Sequence, residues 1–237
     1  MILFDGQALL LDVEGTTSSI SFVYDVLFAY AKKHVADFLQ HEKSSEAVRA
    51  VASEFATEAS LGTVCLDDSN DLQCLVQAAL DWMNKDIKST PLKALQGMIW
   101  RHGFESGELV SHIFDDVPQA LAQWADSGMD VRIYSSGSVQ AQKLFFSHTS
   151  AGNLTRYLRG YYDTTTGPKR EASSYTRIAA DMNYDPRRIL FLSDVGAELD
   201  AARQAGMATA LAIRPGNQDA GGLFDHQTFS SFSDIVI

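Results

Sequence analysis

Lysine and arginine are in short supply: 19 stand against 30 aspartates and glutamates, a formal net charge of −11 over 237 residues. A field of that sign repels nucleic acid and anionic membranes and disfavours both as partners. If the substrate is itself anionic, it must be met locally by a few placed cations or by a metal. Cysteine is rarer still. Cys65 and Cys74 form neither a CxxC pair nor a disulfide framework, so they read as two reduced thiols. The six histidines, His34, His41, His102, His112, His148 and His226, show no HxH or HExxH spacing and give a zinc site no support. The first residues, MILFDGQALLLDVEGTT, lack a basic leader and a cleavage site, and the apolar run Ala8 to Leu11 is far too short for a bilayer. The expectation is a cytoplasmic protein without a membrane anchor. With only 5 Pro, 16 Gly and 46% hydrophobic residues, the chain is neither collagenous nor disordered and can bury a substantial core. Its length suits one core with a smaller accessory layer.

Five segments predict strands, because β-branched and large apolar residues run together and stop at polar residues or glycine: Ala8 to Val13, Val131 to Ser135, Gly160 to Asp163, Ile189 to Ser193 and Thr209 to Ile213. Between the later four lie stretches with helical spacing, such as Tyr175, Ile178, Ala179 and Met182. Alternating strand and helix predicts an α/β fold with a Rossmann-like parallel sheet covered on both faces. The gap between the first two strands is about 115 residues, too long for a crossover helix alone. It carries apolar stripes at Val23, Leu27, Tyr30 and Val35 and at Leu72, Leu75, Val76, Ala79, Leu80 and Met83. Residues 22–114 therefore read as a helical insertion, and residues 1–21 with 115–237 as the α/β core. Gly216 to Ile237 reads as a loop with a last short element and carries no motif.

Ligands of open α/β sheets bind outside the carboxyl ends of the strands. The first strand ends in Asp12-Val13-Glu14-Gly15-Thr16, where a spacing of two in extended chain puts both acids on one face. The second ends in Ser135-Ser136-Gly137-Ser138, a neutral donor cradle for phosphate oxygens if the serines are not simply helix caps. The loop after the third carries Lys169, and the fourth ends in Ser193-Asp194 with Glu198 one turn on. Alone, each has an ordinary structural explanation; together, at consecutive strand ends, they meet the needs of phosphoryl transfer. Asp12 and Asp194 suit Mg²⁺, which binds through one or two carboxylates and keeps several waters. Lys169, Ser135 and Ser136 supply further contacts to phosphate oxygens. Asp12 is then the candidate nucleophile and Glu14 the candidate acid and base.

LLLDVEGTT, IYSSGS, the lysine of TTTGPKREASSY and ILFLSDVGAELDAA resemble the four ordered motifs of the haloacid dehalogenase-like phosphatases. LKALQGMIWRHGFESGEL, YSSGSVQAQKLFFSHTSAGNL and AIRPGN resemble the acireductone synthases, the enolase-phosphatases of methionine salvage. The likeness covers nearly the whole chain. It implies a monomeric enzyme with one Mg²⁺ per chain that enolises 2,3-diketo-5-methylthiopentyl-1-phosphate and then removes the phosphate, leaving the acireductone 1,2-dihydroxy-5-methylthiopent-1-en-3-one. By position it implies Asp12, Glu14 and Asp194 as metal-side acids, Asp12 and Glu14 as catalytic, and Ser135, Ser136 and Lys169 as substrate-phosphate contacts. Glu14 stands where the superfamily has Asp, so metal contact and acid/base work both remain open to it. Asp194 and Glu198 replace paired aspartates, which leaves Glu198 to act through a water or not at all. The insertion corresponds to a helical cap that closes the site and reads the methylthio end, with Phe22 and Trp100 as candidates.

Another small-molecule phosphatase of the superfamily would keep this site and change only substrate selection. A signalling receiver also gathers Asp, Ser/Thr and Lys around Mg²⁺, but it has no long insertion after the first strand and carries its phospho-acceptor elsewhere.

Overall fold

The computed structural model describes residues 1–217 and 225–237. The chain divides into two compact units, one of Met1–Val23 with Val110–Ile237 and one of Tyr24–Leu109.

The first unit is built on β2 (Ala8–Leu11), whose four residues are all buried. A strand apolar on both faces belongs in the middle of a covered parallel sheet. It lies there, between β3 (Asp130–Tyr134) and β5 (Ile189–Ser193), in a six-stranded parallel sheet. With β4 (Gly160–Tyr162), β6 (Ala208–Ala212) and β7 (Gln227–Phe229), the order is β4-β3-β2-β5-β6-β7. The chain leaves β2 toward one edge and returns on the other side, so the order reverses at β2, the position where such sheets open a crevice. Register fixes what stands there. Leu11 is level with Ile133 on one neighbour and Leu192 on the other, so Asp12, Tyr134 and Ser193 emerge side by side. Helix α5 (Val117–Asp126) precedes β3, and helices α7 (Ala172–Met182) and α8 (Gly196–Gln204) share one core cluster with the sheet, in which Tyr175, Ile178 and Leu199 join Leu10 and Phe191.

The C-terminal stretch departs from expectation. Where the sequence predicts a loop with a last short element, β7 extends the main sheet beside β6, and β8 (Ile235–Val236) pairs with β1 (Ile2–Leu3) at the start of the chain. β7 exposes Gln227 and Thr228 and β8 is only two residues, so neither shows an apolar strand pattern of its own and their pairing partners define them. Residues 218–224 of that stretch lie outside the described residues.

The second unit holds helices α1 (Ala29–His41), α2 (Glu46–Glu58), α3 (Ser69–Asn84) and α4 (Thr90–Ser106). Their ends follow local chemistry: Asp68 accepts from the Asn70 and Asp71 N–H groups at 2.8 and 3.1 Å, and Ser89 caps α4 ahead of Pro91. Gly107 ends α4 at φ +80°, a conformation costly to any residue with a Cβ. The centre of the α3 stripe, Leu75, Ala79 and Met83, is fully in the core, while Leu72, Val76 and Leu80 pack at its margin. Among the described residues, no helix is long and apolar enough to cross a membrane.

Candidate active site

Asp12 follows β2 directly, and its N–H continues the ladder to Leu192 O at 2.9 Å. The side chain is buried and fully engaged. Oδ1 accepts from the Val13 N–H at 2.7 Å and pairs with Lys169 Nζ at 2.7 Å, and Oδ2 accepts from Ser193 Oγ at 3.0 Å. Lys169 Nζ lies equally close, 2.7 Å, to Glu198 Oε2. Ser193 Oγ also stands 3.2 Å from Glu198 Oε2, so one hydroxyl proton serves two carboxylates in turn. The centre is thus an acid, a lysine and a second acid in contact, closed by a serine.

Lys169 is not a solvated surface lysine; its side chain is only 9% exposed. Three successive carbonyls of its loop are tied down: Gly167 O by the Tyr134 hydroxyl at 2.8 Å, Pro168 O by Ser174 Oγ at 2.8 Å and Lys169 O by the Tyr175 hydroxyl at 2.6 Å. A Cβ at Gly167 would meet Ser174 Oγ at 2.2 Å, so only glycine lets the loop lie this close to α7. Burial would lower the lysine's pKa, but Asp12 and Glu198 beside it hold it well above the ordinary value.

Asp194 sits beyond β5 against the loop that carries Glu14. Gly15 stands at φ +67°, and a Cβ there would come within 2.1 Å of Asp194 Oδ2, so glycine is required both for the turn and for the approach of the carboxylate. Glu14 is half-buried on this loop, its backbone bridged to Ser18. Strand β2 stops at Leu11, and Val13 O accepts from the N–H groups of Thr16, Thr17 and Ser18. The placement of Asp12 and Glu14 is therefore set by a tight turn rather than by strand alternation.

Ser135 and Ser136 follow the neighbouring strand β3. Ser135 is buried, and its Oγ accepts from the Gly137 N–H at 3.2 Å, while Ser136 is exposed. Neither caps the helix that follows, α6 (Val139–Ser147): Ser138 does so, accepting from the Ala141 N–H. Gln142 pins the loop, donating to Gly137 O at 2.7 Å and Tyr162 O at 2.8 Å, and Asp163 accepts from the Val139 N–H. Phe22 is buried edge-on against Phe145 in the first unit. Trp100, in the second, donates its indole N–H to Leu27 O at 2.8 Å.

Residues 7–206 match the haloacid dehalogenase-like hydrolases. The chain belongs to that family. Within this hydrolase family it is 46% identical over 231 residues to an enolase-phosphatase E1 of Pseudomonas aeruginosa, a match spanning 98% of both chains. It is 43% identical to the enolase-phosphatase E1 of Sorangium cellulosum over the full length of each. The chain thus belongs with the enolase-phosphatases of this family. Among solved structures, the UTR4 protein of Saccharomyces cerevisiae superimposes with a TM-score of 0.81 at 35% identity, over 96% of this chain and 98% of that one.

Ser193, Tyr134, Ser174 and Tyr175 were not singled out from sequence as site residues. Ser193 had a signal, the one hydroxyl ending the apolar strand ILFLS. The tyrosines had none, because an aromatic in a strand or on an apolar helix stripe reads as core.

The electrostatics of this hydrolase site are lopsided. Asp12, Asp194 and Glu198 share one buried cation. Burial, with the negative charges of Asp12 and Glu198, pushes Asp194 up to about 7, and burial, with Asp12, pushes Glu198 up to about 7. Such an excess of carboxylate oxygen suits a hard divalent cation. Among the described residues, no three His, Cys, Asp or Glu side chains form a ready-made metal cage.

In the ion-free protein these raised values make the native state hold protons that the unfolded chain has already released. Stability is then greatest in the ordinary carboxylate range and declines as pH rises to about 7. Thermal unfolding in chelator is expected to show a falling midpoint from about pH 5 to about pH 7.5, and Asp194→Asn is expected to flatten the slope. A midpoint rising over that window would contradict the placement of these acids.

Proposed function

We propose that the chain is a Mg²⁺-dependent enolase-phosphatase that converts 2,3-diketo-5-methylthiopentyl-1-phosphate to the acireductone 1,2-dihydroxy-5-methylthiopent-1-en-3-one and phosphate. The observation that carries the phosphatase half is the buried Lys169 held at 2.7 Å from both Asp12 and Glu198, at the sheet's switch point. The substrate follows from identity at this level to enolase-phosphatases over the whole chain.

An Asp12 carboxylate oxygen attacks the phosphorus, forming an acyl-phosphate bond as the bond from phosphorus to the substrate's ester oxygen breaks. Glu14 gives the departing oxygen its proton and then takes one from water as that water displaces phosphate from Asp12, restoring the carboxylate. Lys169 orients Asp12 through their 2.7 Å pair, and with the Ser135 and Ser136 donors offers positive ends to the phosphate oxygens. Asp12, Glu14 and Asp194 are the residues that would hold Mg²⁺. When bound, that ion offsets charge on the phosphate and on an enolate oxygen. The preceding enolisation needs a base beside the carbonyl, and Glu14 is the candidate on the loop.

The test is phosphate release from the diketo phosphate, with ultraviolet detection of the enol. Both products are expected with Mg²⁺, falling to background in EDTA and returning when Mg²⁺ is restored. Release only from other phosphate esters would keep the site and reject the substrate. Undiminished turnover in EDTA would reject the metal. The same proposal places the enzyme in the cytoplasm as a monomer, and a dimer in sedimentation would correct the latter.

A further inference from the structure

The loop after β2 is held from a distant part of the chain. Its tight turn leaves the Gly15 and Thr16 carbonyls outside the sheet ladder, and side chains that follow β6 take both. Asn217 Nδ2 donates to Gly15 O at 2.9 Å, and Arg214 Nε donates to Thr16 O at 3.1 Å. Arg214 is itself fixed. Its Nη1 bonds Asp116 Oδ2 at 2.9 Å and Ser230 O at 2.8 Å, and its guanidinium lies 4.8 Å from the Phe114 ring centre and 4.7 Å from that of Phe232. The bracket around the loop is therefore rigid, and Asn217 is its contact nearest the acids.

A second observation concerns the other end of the Asn217 amide. Its Oδ1 is buried and has no hydrogen-bond partner among the described residues. Burying an acceptor unpaired is unfavourable, so packing alone does not explain an amide here. What the amide does is flank Gly15: a Cβ at that residue would lie 3.1 Å from Asn217 Oδ1 and 2.1 Å from Asp194 Oδ2. Gly15 is thus gripped through its carbonyl by Asn217 while Asp194 closes on it.

We propose that Asn217 is a positioning residue, which through the Gly15 carbonyl fixes the turn that carries Asp12 and Glu14 against Asp194. It acts through the backbone and not on the substrate. The role it serves rests on the phosphatase activity proposed above.

The test is Asn217→Ala in the full chain, with two readouts. The first is steady-state phosphate release from the diketo phosphate at saturating Mg²⁺. With the turn loosened, kcat is expected to fall about 10-fold or more while KM changes by less than about threefold, because orientation rather than affinity is lost. The second is amide hydrogen exchange of the peptide covering residues 12–18, which is expected to speed up in the variant while the peptide covering β5 is unchanged. A kcat within about twofold of the parent, a loss confined to KM, or a 12–18 peptide exchanging at the parent rate would overturn the inference. Exchange needs no substrate. If the parent releases no phosphate from this ester, the proposed function fails and the exchange result alone decides the role of Asn217. Should Asn217→Ala not fold, Asn217→Leu keeps the branched side-chain shape, removes the same donor without adding charge beside Asp194, and is read in the same way.

Discussion

Asp12→Asn is expected to lower phosphate release by about 10⁴-fold or more while leaving a folded protein. The amide removes the nucleophilic charge, so the first displacement loses its attacking group. The surroundings tolerate the change for reasons visible at the site. The asparagine oxygen still accepts from the Val13 N–H, where Asp12 Oδ1 does so at 2.7 Å, and the side-chain volume is kept. Lys169 is not left alone, because Glu198 stays 2.7 Å from its ammonium. Loss of the Asp12 charge also removes one cause of the raised values at Asp194 and Glu198, so Glu198 ionises more readily and answers the lysine better. The thermal midpoint is therefore expected to move by only a few degrees, about 5 °C or less at neutral pH. Circular dichroism and a melting curve check the fold, and a phosphate assay checks the chemistry. An Asp12→Asn enzyme with parental turnover would remove the nucleophile assignment outright.

How much of this site was legible beforehand depended on where each residue's role is decided. Strands β2 and β5 announce themselves because a strand buried on both faces is apolar along its run, as ALLL and the first four residues of ILFLS are. Their carboxyl ends, with that of β3 beside β2, then locate Asp12, Ser135 and Asp194. Roles decided by three-dimensional contact were not legible. Glu198, one turn into α8, has the sequence signature of an ordinary first-turn acid, yet it closes on Lys169. Lys169 reads as a phosphate contact from its place in the loop, but not as a buried lysine, because nothing local says that Tyr134, from another strand, and Tyr175, from the next helix, will fasten its loop. The C-terminal strands failed for a different reason: β7 exposes Gln227 and Thr228 and so shows no apolar run, β8 is only two residues, and only their pairing partners make them strands.

Lys169→Met is expected to damage stability and activity together, and the two losses can be separated. Without the ammonium, Asp12 and Glu198 remain buried on either side of a methionine, and Ser193 has one proton for both. Removing one partner from a buried ionic cluster typically costs about 3–5 kcal/mol, because the desolvated charges left behind have no answer. Glu198, already raised to about 7 by burial and by Asp12, then loses the lysine that holds it down and rises further, which steepens the loss of stability above the ordinary carboxylate range beyond that of the parent. Activity is expected to fall about 10³-fold or more, since the lysine both orients the nucleophile and offers its charge to the phosphate. Glu198→Gln added to Lys169→Met removes one of the two opposed carboxylates, so most of the lost stability returns. Turnover does not return, because no cation has been restored. Denaturant melts across pH and the phosphate assay measure these quantities independently. If the single variant melts with the parent, the buried cluster contributes nothing to the fold; if the double variant regains turnover, Lys169 serves only to neutralise Glu198.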